Sequence, residues 1–216
     1  VASRNADPRR ICFGGGDEGF YQELNAAGNS ALLAYGRFQG LRCTSYTNIV
    51  WTDGGDYNPP NRDTVRKIVE GIRENDTRTV STAHTAPENE AADYWGADTW
   101  LTLNNVYTYN AVYSAALDAY ARASTMPFFL FESAYENEHG AGELRIRTQA
   151  YQALLGGAAG QKYGNNPMWH FDGPGLFGAP ASWQRSLNSR GAQSMTHLRA
   201  LFAGLPWWTL VPDTTG

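Results

Sequence analysis

The sequence predicts an α/β fold, and within that class a piece of a (β/α)8 barrel. Short apolar runs near residues 48, 79, 100, 127 and 167 alternate with helical segments, which is typical of a parallel sheet. A doubly wound sheet fits the number of runs, but it gathers its ligand groups at one switch point. Here every predicted strand ends on polar residues, as barrel strands do. A closed barrel needs eight strands, so we expect this chain to supply about the last five β/α units and another polypeptide to supply the first three.

The first half of the chain contains two predicted helices and three predicted strands. Residues 1–28 are predicted to be a loop, with Gly14–Gly19 at its centre. These glycines are not a dinucleotide fingerprint, because the preceding strand and the following helix that such a motif needs are missing. A helix is predicted from Asn29 or Ser30 to about Leu41. A second helix should begin with Asp63 as N-cap, since apolar residues then recur at helical spacing. The predicted strands are 48–51, 79–84 and 100–105.

The second half is organised around Met126–Glu136, which reads MPFFLFESAYE. Four apolar residues, Phe128–Phe131, follow a proline, and Glu132 ends the run. Such a run predicts a strand buried on both faces, with the glutamate at the carboxyl rim of the sheet. The flanking elements are predicted helices at 111–123, 143–155 and 191–202 and a fifth strand at 167–171.

Composition excludes several classes of protein. The net charge is -4, so nothing favours nucleic acid as a partner, and the absence of a long apolar run argues against a membrane span. The sequence lacks a G-x-S-x-G elbow, an H-E-x-x-H motif and a P-loop. The four histidines never show metal-ligand spacing, so we expect neither a metal nor a cofactor.

The aromatic content points to a sugar ligand. The chain has 7 Trp, 12 Tyr and 9 Phe, many beside Asn, Asp, Gly or His. Aromatic faces next to hydrogen-bonding groups suit a ligand with apolar CH patches and many hydroxyls, although core packing accounts for the same residues.

Two carboxylates at different strand ends are the minimum for glycoside hydrolysis. Glu132 is the first candidate. Asp53 and Asp56 compete for the other role, since both follow the strand containing Trp51. Two glycines before Asp56 let the backbone turn and favour it, whereas Asp53 could instead cap the turn.

Side chains around these carboxylates are predicted to bind hydroxyl groups. They share positions at or just after strand ends: Trp51, Asp53, Tyr57, His84, Asn104, Asn105, Tyr107, Tyr135, Glu136, Trp169 and His170. We do not give His84 the acid role, because a lone histidine is more often structural.

Several short motifs, in order, resemble the apiosidase-like glycoside hydrolases, family 140 and its relatives. The motifs are Tyr35–Phe38, Asn48–Trp51, Gly54–Asp56, Thr82–His84, Glu132–Glu136, Ala150–Gly160, Tyr163–Gly164 and Trp207–Asp213. The resemblance covers about residues 11–213. Family members begin with three further β/α units and many continue into a β-sandwich, and Cys43 stands where an aromatic residue usually follows the arginine.

The resemblance implies a (β/α)8 barrel that hydrolyses glycosidic bonds in polysaccharide, in a secreted or periplasmic protein. It implies an aspartate after the fourth strand and a glutamate after the seventh, which by motif are Asp56 and Glu132. Analogy with related barrels makes Asp56 the acid/base and Glu132 the nucleophile of a retaining mechanism. The alternative is a carbohydrate-binding protein on a barrel scaffold that does not catalyse.

Overall fold

The computed structural model describes residues 19–77, 80–122, 126–173 and 177–214. The chain divides into two compact units, Val1–Asn105 and Val106–Gly216. Their helices are α1 (Tyr21–Cys43), α2 (Asp63–Arg73), α3 (Ala91–Trp95), α4 (Val112–Tyr120), α5 (Glu143–Leu155), α6 (Trp183–Ser186) and α7 (Arg190–Ala203). The strands are β1 (Val50–Gly54), β2 (Val80–His84), β3 (Asn89–Glu90), β4 (Asn104–Tyr107) and β5 (Phe128–Glu132). Within these described ranges, no helix is both long and apolar enough to cross a membrane.

In the first unit, α1 and α2 pack at very short range through glycines. A Cβ on Gly36 would lie 2.0 Å from the Ile68 carbonyl oxygen, and one on Gly71 would lie 2.3 Å from that of Leu33. The predicted apolar face of α2 is confirmed, since Val65, Ile68, Val69 and Ile72 are all buried.

Two predicted helix boundaries in this unit are wrong. Residues 21–27 are helical rather than loop, and a non-helical Gly28 at φ 76° separates them from the helix predicted at Asn29. Asp63 is the first residue of α2 and not its N-cap. The Asn61 side chain does the capping work, because its Oδ1 accepts a hydrogen bond from the Asp63 N–H at 3.1 Å. The glycine-rich stretch at 14–19 and Thr79 lie largely or wholly outside the described residues.

β1 and β2 form a parallel pair in register from Val50↔Val80 to Gly54↔His84. The strand predicted at 100–105 corresponds to β4, which lies later in the chain. It begins at Asn104 and extends to Tyr107, while the apolar Trp100 packs on Trp95 of α3 with ring centroids 5.4 Å apart. Asn104 and Asn105 therefore lie inside β4 and do not follow it.

In the second unit, β5 lies beside the end of β4, where the Thr108 N–H donates to the Glu132 carbonyl at 3.1 Å. One face of β5 is buried: Phe128 and Leu130 belong to a core with α4 and α5. Phe129 and Phe131 on the other face are only half-buried, so the prediction of a strand buried on both faces is wrong. The helix 143–155 is confirmed, and α7 extends one residue beyond the prediction at each end.

The fifth predicted strand is also wrong in place. Met168–His170 form a 3-10 helix. The segment that runs parallel to β5 comes earlier, through isolated bridges Leu130↔Gln161 and Glu136↔Asn165. Its residues Gln161–Tyr163 are polar or amphipathic, so no apolar run marked it. The number of five β/α units stays a prediction.

Candidate active site

Glu132 lies at the end of β5, where two tyrosine hydroxyls bind its carboxylate. Tyr109 donates to Oε1 at 3.2 Å, and Tyr135 also hydrogen-bonds the side chain. Burial, together with the negative charge of Glu132, raises the pKa of Tyr135, which therefore stays protonated and remains a donor. The carboxylate thus has a fixed orientation and two donors to its charged form.

The two tyrosines are themselves held in place. Arg145 of α5 donates through Nη2 to the carbonyl oxygens of Tyr109, at 2.7 Å, and Asn110, at 3.0 Å. The buried Tyr107, a predicted binding residue, lies 3.1 Å from Tyr109 between hydroxyl oxygens. Tyr135 packs directly on Gly164, where a Cβ would lie 2.4 Å from the ring carbon Cδ1.

A cavity of about 640 Å³ opens at these tyrosines. Tyr109 and Tyr135 form part of its wall, and Glu138 and Arg145 add charged groups to it. Sequence reasoning missed Tyr109, Glu138 and Arg145. For Tyr109 a signal existed, since it follows Tyr107 at the two-residue spacing of an extended chain.

Glu136 is built into the protein as an anchor for α7. Its carboxylate accepts hydrogen bonds from Tyr163 at 2.5 Å, Ser189 at 2.6 Å, Asn165 at 3.0 Å and the Gly191 N–H at 2.9 Å. Burial alone would raise the pKa of Glu136, but these donors outweigh it and hold the pKa below its usual value. Glu136 is only 5% exposed, and its bonds from Ser189 and Gly191 connect the segment after β5 to the N-terminus of α7.

We expect Glu136→Gln to destabilise the protein by about 1–3 kcal/mol near neutral pH, because an amide gives four donors only one accepting oxygen. The folded-state pKa is lowered, so this stabilisation exists above the unfolded pKa and is lost as pH falls through the folded one. The gap between wild type and variant in urea midpoint should therefore shrink in acid. Glu143→Gln is the matched control, since Glu143 pairs at 3.0 Å with a half-exposed Arg147. An equal loss in both variants would contradict the prediction.

Trp169 and His170, the remaining predicted residues of this unit, lie on the 3-10 helix Met168–His170. Trp169 donates through Nε1 to Glu138 Oε1 at 2.8 Å. His170 Nε2 lies 2.7 Å from Asn166 Oδ1, while Nδ1 is buried without a partner in the described part of the chain.

In the first unit, the end of β1 carries the two competing aspartates in different environments. Asp53 is 8% exposed, and burial raises its pKa to about 7. Asp56 is exposed and has a φ of 53°, two residues after Gly54 at 84°. The backbone turn predicted from the glycines is therefore present, and it leaves Asp56 accessible.

The neighbouring predicted residues differ in the hydrogen bonds that they make within the protein. Asn104 is fully engaged, accepting from the Ala92 N–H at 2.9 Å and donating to Glu90 at 2.7 Å. Trp51 donates to Asp76 at 3.2 Å. The buried Asn105 donates to the Ala83 carbonyl at 2.6 Å, and its Oδ1 has no partner among the residues described.

His84 and Tyr57 complete this set. His84 ends β2 opposite Gly54 and is half-buried. Tyr57 packs on Tyr21 with ring centroids 5.4 Å apart. Over the ranges that the structure covers, no group of three or more His, Cys, Asp or Glu could hold a metal ion.

Comparison with known proteins adds the family. The model of the apiosidase-like catalytic domain matches residues 14–209. A crystal structure of a glycoside hydrolase family 5 protein from Bacteroides vulgatus ATCC 8482 is similar, with a TM-score of 0.78 and 23% identity over 90% of this chain and 49% of that one. A second structure, titled glycoside hydrolase, has a TM-score of 0.77 and 23% identity over 87% of this chain and 50% of that one.

The chain thus spans about half the length of the solved structures that it matches, which supports a partial α/β barrel. No curated protein matches it. The family match covers most of the sequence. The chain therefore belongs to the apiosidase-like catalytic domain family.

Proposed function

We propose that this chain is the part of a glycoside hydrolase that contributes the catalytic carboxylates. Its substrate would be a polysaccharide, cleaved at a side chain or chain end. The observation that carries this proposal is the Glu132 carboxylate, held by two tyrosine hydroxyls at the wall of a cavity of about 640 Å³. Family membership supports the same reaction class.

Glu132 is proposed as the nucleophile of a retaining mechanism. A nucleophilic carboxylate must be ionised and aimed, and donors to its charged form favour ionisation. Tyr109 and Tyr135 supply such donors. The intermediate would be a covalent glycosyl ester of Glu132, which water then hydrolyses with return of the original anomeric configuration.

Asp56 is proposed as the acid/base, with Asp53 as the alternative. Exposure favours Asp56, because a general acid must reach the glycosidic oxygen within hydrogen-bond distance. A pKa of about 7 would suit a general acid, but the carboxyl of Asp53 is buried. We therefore keep Asp53 as the alternative only, because its burial keeps the carboxyl from a glycosidic oxygen.

The other predicted residues are proposed in two roles. Tyr57, His84, Asn105, Tyr107, Tyr135, Trp169 and His170 remain proposed binding or wall residues. Trp51, Asn104 and Glu136 already use their polar atoms inside the protein, so we propose that they shape the site without binding sugar.

A second polypeptide is proposed to supply the remaining strands of the barrel. One face of α1 packs on α2, while Tyr35, Phe38 and Leu41 are 48%, 60% and 65% exposed. Apolar side chains this exposed favour a covering partner. A native mass spectrum of the isolated protein should show a second polypeptide, whereas a monomer that cleaves glycans alone would contradict this part of the proposal.

Product analysis on a panel of plant cell-wall and microbial polysaccharides tests the function. Released sugars, identified by mass spectrometry, are the expected result, and NMR should show the first-formed product with the anomeric configuration of the substrate. Inversion would contradict the assignment of Glu132 as nucleophile. Binding without cleavage across the panel would contradict hydrolysis and favour a carbohydrate-binding protein. A secreted or periplasmic location would fit a polysaccharide substrate.

A further inference from the structure

The cavity at Tyr109 and Tyr135, the two tyrosines that bind Glu132, has in its wall a carboxylate that the proposed chemistry does not use. Glu138 is half-buried in the cavity wall, six residues after Glu132. Its loop is tightly turned, with positive φ at Asn137 (71°), His139 (47°) and Gly140 (75°). The loop is closed by backbone hydrogen bonds between Asn137 and Ala141 at 2.8 Å and between Ala141 and Glu138 at 2.8 Å. The carboxylate is therefore presented by a defined turn.

The two oxygens of Glu138 differ, because one accepts a hydrogen bond from the protein and the other has no donor among the described residues. Oε1 accepts the 2.8 Å hydrogen bond from the Trp169 indole, which orients the carboxylate. Oε2 accepts no hydrogen bond from any residue that the structure describes. A carboxylate in a cavity wall, with one oxygen anchored and the other without a donor among the described residues, is arranged to accept a hydrogen bond from a ligand.

Glu138 is also electrostatically coupled to Glu132. Burial raises the pKa of Glu138, and the charge of Glu132 adds to that effect, while the Trp169 hydrogen bond and nearby histidines oppose it. Arg145 also lines the cavity, and its Nη2 donates to the carbonyl oxygens of Tyr109 and Asn110. The negative charges of Glu138 in the wall and of Glu132 behind the lining tyrosines, against the one guanidinium of Arg145, disfavour an anionic ligand here and favour a neutral, hydroxylated one.

We propose that Glu138 is a specificity-determining residue, whose Oε2 accepts a hydrogen bond from a hydroxyl of the neutral sugar unit bound beside Glu132. Trp169 is the positioning residue that aims it. This inference rests on the proposed function for its link to catalysis, but sugar binding in the cavity can be measured without turnover. A hydrogen bond from a hydroxyl to a carboxylate contributes enough binding energy for a loss of about 10- to 100-fold in affinity when it is removed.

Binding is measured in a catalytically blocked background. A plant cell-wall oligosaccharide array selects the tightest ligand of Glu132→Gln, and calorimetry then compares Kd for Glu132→Gln/Glu138→Gln and Glu132→Gln/Glu143→Gln. Glutamine keeps an oxygen for Trp169 but presents an amide donor in place of Oε2, so we expect Kd to rise about 10- to 100-fold for the first double variant. Glu143 is outside the cavity wall, and its variant should bind as the background does.

Trp169→Phe separates positioning from bulk packing, since it removes the indole N–H and retains an aromatic ring. We expect it to raise KM severalfold with kcat nearly unchanged, as Glu138→Gln should. Equal Kd for the two double variants, or no binding to any member of the array, would overturn the inference. Cleavage by wild type with no sensitivity to Glu138→Gln would overturn the inference alone. Binding that depends on Glu138 without any cleavage would instead contradict the proposed hydrolysis and leave this inference standing.

Discussion

Glu132→Gln is expected to lower kcat by about 10³-fold or more, with the fold intact. The amide keeps one oxygen that can accept from a tyrosine hydroxyl, so part of the local hydrogen bonding survives, but an amide cannot form the glycosyl ester. Since the side-chain shape is unchanged, the loss would reflect chiefly the missing nucleophile. Asp56→Asn should reduce kcat by about 10²–10⁴-fold, the contribution of general acid–base catalysis.

These rates are measured on the glycan that the product screen identifies, with circular dichroism and urea midpoints to check folding. Glu143→Gln again supplies the matched control. It makes the same chemical change at a residue of α5 that does not line the cavity. Full activity of Glu132→Gln would remove Glu132 from the reaction. Full activity of Asp56→Asn with an inactive Asp53→Asn would transfer the acid/base role to Asp53.

Asp53→Asn is expected to be more stable than wild type above pH 7, by up to about 4 kcal/mol. Burial raises the pKa of Asp53 from 3.8 to about 7. A difference of about three units costs roughly 1.36 kcal/mol per unit once the buried group must ionise. The folded state holds the proton between these values while the unfolded state has lost it. Wild-type stability should therefore fall as pH rises from about 4 to about 7, and then level off.

Urea unfolding at pH values from 4 to 8 measures this effect. The stability of Asp53→Asn should lack the decline, whereas Asp63→Asn should keep it, because the Asp63 side chain is 51% exposed. A titration of the Asp53 carboxyl by NMR provides the direct check. Parallel stability profiles for wild type and Asp53→Asn would contradict the raised pKa.

The sequence predicted the fold well wherever one periodicity dominated. The apolar face of α2 was predicted correctly because its buried residues recur at the helical period. The strand at Phe128–Glu132 was predicted because its apolar residues form one short continuous run. Prediction failed where tertiary contacts compete with local pattern. Trp100 resembled a strand residue because it is apolar, yet it serves as packing for α3.

The two proposed catalytic carboxylates could be named from the sequence, whereas the residues around each of them could not. Glu132 and Asp56 are marked by their position after strands and glycines. Glu138 carries no such mark, since it enters the cavity wall through a turn with positive φ values that no periodicity encodes. Glu136 looked like a ligand-binding neighbour of Glu132. Its partners Ser189 and Gly191 are more than fifty residues away in sequence, so only the folded chain shows that it is an anchor.

Substitutions at Gly164 should affect Glu132 through the ring of Tyr135. The ring of Tyr135 occupies the space where any side chain at 164 would begin. A larger residue there has to displace the ring, and with it a hydroxyl donor to the carboxylate. If Glu132 is the nucleophile as proposed, position 164 would be under selection for catalysis in the evolution of such a domain, although a residue there takes no part in the reaction. A library randomised at this codon would be depleted by an activity screen more strongly than by a screen for soluble protein.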